Sequence, residues 1–218
     1  MKTGRRTDFS KKNNSGFTLI ELVVIAAIIF VLTGMIAINV TPMFTQSVRS
    51  SAEDLQQLLA DTRTAAYARD NGSDSTYLEI SVADNGRIKA TEYVNDNAVT
   101  PYTNGENDYK YLGNYKETLV AKKRTSTSTS TSSSGSVTSS DSEIGSIGTG
   151  QNLYIAFEKG TGEVYCFTLA KDWADAKNAT KFNDGVVSDA VITLQGNGST
   201  FEVTVDGVTG RSKYTRIY

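Results

Sequence analysis

One acidic side chain, Glu21, stands at the head of an otherwise apolar run of the chain. From Leu22 to Ile38 only Thr33 and Gly34 interrupt the large apolar residues. A carboxylate at the centre of a membrane helix costs about 2.5 to 3.5 kcal/mol, and less near an edge. We therefore expect Glu21 to have a partner group that offsets this cost.

The chain offers little for enzymatic chemistry. It contains no histidine, which removes the commonest general base, proton shuttle and metal ligand together. Its single cysteine, Cys166, lies in an apolar context and is interpreted as a buried small hydrophobe. The glycines at 148–150 and 160–162 match no phosphate-binding loop pattern. We predict no catalytic residue, no cofactor and no enzymatic activity.

Two clusters of oxygen ligands, at 70–74 and 95–108, lack the spacing of a calcium-binding loop and are interpreted as solvated turns, so no metal site is predicted. Four tyrosines also lie close together in a loop rich in Asn and Gly: Tyr102, Tyr109, Tyr111 and Tyr115. We expect this loop to pack its tyrosines on its own domain. The alternative is a contact with a surface polysaccharide or another subunit, since tyrosine gives rigid contact area with a polar tip.

The residues before the apolar run are basic. Residues 1–16 hold five Lys or Arg side chains against one Asp, which predicts an amino terminus that stays in the cytoplasm. With residues 17–20 the apolar run reaches bilayer length, so we predict a transmembrane segment at about 17–40. A cleaved signal peptide and a plain signal anchor are alternatives, but no A-x-A cleavage site follows the run.

A short motif joins the basic stretch to the apolar run. Lys11-Lys12-Asn13-Asn14-Ser15-Gly16 followed by Phe17-Thr18-Leu19-Ile20-Glu21 resembles the processing signature of type IV pilins and of the related pseudopilins of type II secretion and DNA uptake. The resemblance implies that a prepilin peptidase removes residues 1–16 by cutting after Gly16 on the cytoplasmic side. It also implies N-methylation of Phe17, residence in the cytoplasmic membrane, and assembly with other pilin subunits into an extracellular or periplasmic filament.

Cleavage after Gly16 also supplies a partner for Glu21. The cut exposes a cationic amine at Phe17, and pairing this amine with a carboxylate lessens the burial penalty of both groups. We predict that Glu21 is an assembly residue that pairs with the amine of a neighbouring subunit. Pairing of Phe17 with Glu21 in the same chain, four residues apart on one helix face, is the competing interpretation.

The rest of the chain must position this amino-terminal element. Small and apolar residues recur at intervals of three and four after position 46, and they predict an amphipathic helix at about 46–70: Val48, Ala52, Leu55, Leu59, Thr62 and Ala66. We therefore predict one long helix over 17–70, ended by Asn71-Gly72. Eight β-rich runs follow in the predicted head, residues 71–218: 76–82, 87–94, 117–122, 152–158, 163–169, 190–194, 200–205 and 211–218.

These patterns predict an α+β fold, in which the long N-terminal helix packs its amphipathic half on an antiparallel β-sheet head. Residues 125–150 are almost all Ser, Thr and Gly, which cannot build a core. We predict a mobile surface loop there; a glycosylated or adhesive loop is the alternative.

The carboxy terminus is basic, although the chain after residue 16 holds 17 Lys and Arg against 23 Asp and Glu (22 minus 5, and 24 minus 1). Arg211, Lys213 and Arg216 resemble the basic end of the FimT and type II secretion H-pseudopilin group, some of whose members bind DNA. They are candidate DNA contacts, with the exposed face of a strand as the plainer interpretation. A pilus subunit, a DNA-binding minor pilin, a secretion pseudopilin and a single-pass protein with an enzymatic head all remain open.

Overall fold

The structure is a computed structural model that describes residues 18–68, 76–94, 97–98, 109–113, 116–129, 136–148, 150–178, 182, 187–196 and 198–218. At 35–45, 127–129 and 136–138 the description covers the backbone alone. The chain separates into two compact units, Met1–Thr41 and Pro42–Tyr218.

The first element is the predicted long helix, α1, which runs from Leu19 to Ala68. In the amino-terminal unit every described side chain from 18 to 34 is exposed. No helix in the described part of the chain is long and apolar enough to cross a membrane. The transmembrane segment at about 17–40 stays a prediction.

The carboxy-terminal unit contains two antiparallel sheets. Sheet A has the order β3-β2-β1-β7-β8, with β4 also paired to β2. Its strands are β1 (Thr76–Val82), β2 (Ile88–Val94), β3 (Asn97–Ala98), β4 (Lys110–Leu112), β7 (Asn152–Phe157) and β8 (Val164–Ala170). Sheet B has the order β11-β10-β9-β5-β6. Its strands are β5 (Thr118–Thr129), β6 (Ser136–Ser146), β9 (Ser188–Gly196), β10 (Ser199–Val205) and β11 (Ser212–Ile217).

The α+β class is confirmed, and all eight predicted β-rich runs form strands. Alternation of apolar and polar residues, or enrichment in β-branched and aromatic residues, identified them. β1 and β7 of sheet A are buried on both faces. Four elements were not predicted: the short strands β3 and β4, the strand β6, and a one-turn helix α2 (Trp173–Ala176). α2 is too short to show helical periodicity; Asp172 caps it by accepting a hydrogen bond from the Asp175 N–H.

The prediction of a loop over 125–150 is wrong for most of that segment. β5 continues to Thr129 and pairs with β6 from Val120↔Ser146 to Thr129↔Ser136, with a register shift at Ala121/Lys122. On its other side β5 pairs with β9, from Thr118↔Gln195 to Thr125↔Ser188. The prediction assumed that a strand needs a buried face, whereas backbone pairing to a neighbouring sheet is sufficient for an edge strand with polar side chains.

The core lies between the amphipathic half of α1 and the inner faces of both sheets. The predicted stripe is buried, since Val48, Ala52, Leu55 and Leu59 have no exposed surface. They join one cluster with residues of sheet A, such as Leu78, Ile80 and Ile155, and of sheet B, such as Ile192, Leu194 and Val203. Full burial of a Leu, Ile or Val side chain contributes about 1.5 to 3 kcal/mol. This packing attaches the helix to the head.

The opposite face of sheet A carries a second, aromatic cluster. The ring of Tyr77 is stacked between Tyr93 and Trp173, with centroid distances of 4.8 and 3.9 Å. Cys166 belongs to this cluster and is buried, as predicted. Burial raises the pKa of the Cys166 thiol to about 11, so the thiolate is disfavoured.

Candidate functional site

The carboxylate of Glu21 is engaged at the first turn of α1. Its Oε2 accepts hydrogen bonds from the backbone N–H of Thr18 at 3.2 Å and from the Thr18 hydroxyl at 3.1 Å. In return, the Thr18 Oγ1 accepts from the Glu21 N–H at 3.3 Å. This reciprocal pairing of an N-cap Thr with a Glu three residues later is a capping box.

The capping box gives Glu21 a use within its own chain that the sequence interpretation missed. The signal was present, because Thr18-Leu19-Ile20-Glu21 has the S/T-x-x-E spacing of this motif. It also explains why α1 begins at Leu19 rather than at the predicted residue 17. Gly16 and Phe17 lie outside the described residues, so neither pairing of Glu21 with the Phe17 amine is tested.

A continuous apolar surface follows the capping box in the amino-terminal unit. Leu19 and Phe30 are 83 % and 82 % exposed, and nine further large apolar side chains are between 45 % and 69 % exposed: Ile20, Leu22, Val23, Val24, Ile25, Ile28, Ile29, Val31 and Leu32. Contiguous apolar surface of this extent marks a lipid or protein contact. The Thr33 hydroxyl donates to the Ile29 carbonyl at 2.6 Å, which satisfies this polar group inside the helix.

The structure does not bring the three candidate DNA contacts together. Successive residues of β11 point to opposite faces of sheet B. Arg216 lines a cleft of about 990 Å³ between α1 and β11, together with Arg49, Tyr214 and Tyr218. Arg211 and Lys213 instead line a separate cleft of about 340 Å³.

Carboxylates also accompany these basic residues. In the larger cleft Glu53 pairs with Arg49 at 2.9 Å and accepts from the Tyr214 hydroxyl at 2.7 Å. Asp189 and Asp206 line the smaller cleft. A phosphate backbone is held by clustered cations, and neither cleft is a purely basic surface. DNA binding stays a prediction.

Two of the four clustered tyrosines are described, and both pack on their own domain. Tyr111 belongs to β4, and its ring centroid lies 5.1 Å from that of Tyr109. The Arg87 guanidinium covers the Tyr111 ring at 4.1 Å, and the Lys89 ammonium lies 5.0 Å from the Tyr109 ring. Tyr102 and Tyr115 lie outside the described residues. So do the two clusters of oxygen ligands, apart from residues 97–98. Among the described residues no group of three or more acidic or cysteine side chains could hold a metal ion.

A second carboxylate, Glu117, lies at the contact between α1 and sheet B. Its Oε1 accepts from the hydroxyls of Ser51 at 2.8 Å and Ser47 at 3.5 Å. Its Oε2 is buried and has no hydrogen-bond partner among the described residues. Burial raises the pKa of Glu117 to about 7, and the two serine hydroxyls only partly oppose this shift.

The raised pKa predicts a pH-dependent stability. The folded state holds the Glu117 proton more tightly than the unfolded state, whose pKa is near 4.5. The stabilisation is therefore complete below pH 4.5 and is lost as the pH rises through 7. Glu117→Gln cannot ionise, so its Tm relative to the native chain should be about 2 to 4 °C higher at pH 8 than at pH 4.5. This range allows for solvent screening of the Glu117 charge.

Thermal unfolding monitored by circular dichroism between pH 4.5 and 8 measures this difference. Glu158→Gln is the matched control, because Glu158 is exposed in the turn after β7. If the Tm curves of Glu117→Gln and the native chain stay parallel across this range, Glu117 does not titrate as described.

Arg63 of α1 joins the two sheets at the far end of the core. Its Nε donates to the Thr209 carbonyl at 2.6 Å, in the turn between β10 and β11. The same side chain lies against Gly162 of the β7–β8 turn and against Gly210. The Val164 N–H donates to the Gly207 carbonyl at 2.9 Å, so the start of β8 is bonded directly to the turn between β10 and β11.

Comparison with known proteins gives a match to the amino-terminal part of the chain. Residues 11–37 match the family model of the prokaryotic N-terminal methylation motif. No curated protein and no solved structure gives a significant match to this chain. The matched residues contain the capping box and most of the exposed apolar surface. The motif is consistent with a type IV prepilin or pseudopilin-like protein.

Proposed function

We propose that this chain is a prepilin whose processed form is a structural subunit of a type IV pilus or pseudopilus. A prepilin peptidase cuts after Gly16 and methylates Phe17. The helix then anchors the subunit in the cytoplasmic membrane, and later packs against the helices of other subunits in the filament. The β-rich head lies outside the cytoplasm.

The observation that carries this proposal is the methylation motif at 11–37, followed by an apolar helix surface in the amino-terminal unit. A soluble monomer rarely exposes so many large apolar side chains on one element. Lipid and neighbouring helices are the two environments that would cover them. Processing at Gly16 and assembly through this helix account for the motif and the apolar surface together.

The experiment uses the full chain, produced in bacteria together with a prepilin peptidase and a pilus assembly system. Gly16→Val should keep all 218 residues and remain in the membrane fraction, because a branched side chain obstructs the close approach of the protease. The native chain and the matched control Ser15→Ala should lose 16 residues and enter the sheared filament fraction. Entry of uncut Gly16→Val into that fraction would contradict the proposal.

A further inference from the structure

The two edges of sheet B carry opposite charges. We call β6 the acidic edge, since its charged residues are Asp141 and Glu143, and β11 with the preceding Arg211 the basic edge, since its charged residues are Arg211, Lys213 and Arg216. In the described part of the sheet β6 pairs only with β5, and β11 pairs only with β10. Each edge therefore presents backbone donors and acceptors along one side.

The opposite charges lie on the same face of the sheet. Arg124 donates to Asp141 at 2.7 Å and to Glu202 at 2.8 Å, which places both carboxylates on the outer face. Thr204, two residues after Glu202, is the cross-strand partner of Lys213, so Lys213 shares that face. Asp141, Glu143, Arg211 and Lys213 are all exposed.

The spacing of the charges also matches. The acidic edge has two carboxylates two residues apart, and the basic edge has two cations two residues apart on the same face. Opposite charges on neighbouring strands stabilise a sheet by roughly 0.2 to 1 kcal/mol per pair, whereas like charges destabilise it. Two copies of the acidic edge, or two copies of the basic edge, would place like charges together.

From this complementarity we propose that heads associate edge to edge, with β6 of one copy beside β11 of the next copy. The proposal rests on the proposed function, and it names a contact between heads in the filament. The contact involves residues 213–217 of β11, because the Ser212 carbonyl already accepts from Gln56 at 3.1 Å. Asp141 keeps its bond to Arg124. Glu143, whose cross-strand neighbour in its own sheet is Lys122, supplies the carboxylate that faces Lys213 of the next copy.

Strand direction fits a filament in which all subunits point the same way. Every pairing in sheet B is antiparallel, and four successive pairings separate β6 from β11, so these two strands run in the same direction. Placing β6 beside β11 of a copy in the same orientation gives a parallel pair. The surfaces in contact differ, so each copy keeps one free edge and the contact generates an open polymer rather than a closed dimer.

Disulfide cross-linking of sheared filaments tests this contact. The chain carries Glu143→Cys and Lys213→Cys together, in a background in which Cys166→Ser removes the native thiol. Neighbouring strands lie about 4.8 Å apart, and disulfides bridge Cα atoms about 4.4 to 6.8 Å apart. Oxidation should produce a ladder of dimers, trimers and longer products that collapses on reduction, while each single-cysteine chain stays monomeric.

The possible outcomes distinguish failure of the edge contact from failure of filament assembly. Filaments that form but give no ladder would overturn the edge contact and leave the proposed function standing. Dimers from the single variant Glu143→Cys would also overturn it, because they would show acidic edges meeting each other. Absence of the native chain from filaments would overturn the proposed function, and the edge contact with it. The pair Lys177→Cys with Lys213→Cys is the matched control, since Lys177 is exposed at the end of α2, which packs on the opposite face of sheet A.

Charge reversal provides a test that needs no cross-link. Glu143→Lys and Lys213→Glu should each lower the yield of sheared filament roughly tenfold, because each places like charges together. The double variant should recover most of the native yield, since the pair is restored with its signs exchanged. The remaining loss comes from the like charges that the reversed side chains meet in their own head, at Lys122 and Asp206. Glu158→Lys and Lys177→Glu are exposed controls that should change nothing. Additive losses in the double variant would overturn the proposal.

Discussion

Glu21→Gln should enter the membrane like the native chain and yield at least about 100-fold less filament. The amide oxygen of Gln can still accept from the Thr18 N–H and hydroxyl, so the start of α1 is retained. Only the negative charge is lost. Without it, the Phe17 amine of a neighbouring subunit would be buried unpaired, at a cost of about 3 to 5 kcal/mol for each contact.

Thr18→Val is the matched control for the capping box. It removes the hydroxyl and leaves the Glu21 carboxylate in place, at a cost of about 1 kcal/mol at the helix start. Filament yield should then fall only several-fold. Both yields are measured by quantitative immunoblot of sheared and membrane fractions. A normal yield from Glu21→Gln would refute the assembly role, and equal losses in both variants would assign Glu21 to capping instead.

Gly210→Ala should destabilise the head strongly, by more than about 3 kcal/mol. Gly210 has a φ of +65°, which costs a side-chain-bearing residue about 1 to 2 kcal/mol. A Cβ here would also overlap the backbone carbonyl oxygen of Gly162. Backbone cannot move aside as a flexible side chain can, so the contact between the two turns under Arg63 must open.

Gly160→Ala distinguishes the cost of a positive φ from the cost of the overlap with the Gly162 carbonyl. Gly160 has a similar φ of +76°, but a Cβ there would meet no atom within 4 Å. Gly160→Ala should therefore show the backbone cost alone, about 1 to 2 kcal/mol. Chemical denaturation of the full chain in detergent measures both variants. Equal losses of stability would mean that the β7–β8 and β10–β11 turns do not pack as closely as described.

Much of the fold was predictable because local patterns determine it. The stripe from Val48 to Ala66 was readable from its spacing. The predicted strand boundaries lie within two residues of the observed ones, except that β5 continues to Thr129 instead of ending at 122. The Ser/Thr-rich strand β6 was missed because its pairing depends on the partner strand β5 rather than on apolar residues of its own. Glu117 was missed for a related reason, since its partners Ser47 and Ser51 lie 70 and 66 residues away in sequence.

Two features of the candidate sites were present in the sequence and were overlooked. Thr18 and Glu21 have capping-box spacing, which assigns the carboxylate a use inside its own chain. Arg216 differs in parity from Arg211 and Lys213, so a strand over 211–218 had to divide them between its two faces. The partner of Glu21 in a filament could not be found from such local patterns, because it belongs to another molecule.

The most direct test of the central claim is the mass of the amino-terminal peptide in sheared surface filaments. The peptide should begin with N-methylated Phe17 and lack residues 1–16. Its abundance relative to other subunits would distinguish a major pilin from a minor one. A membrane-bound chain that keeps residues 1–16, with no Phe17 peptide in the filaments, would contradict the account.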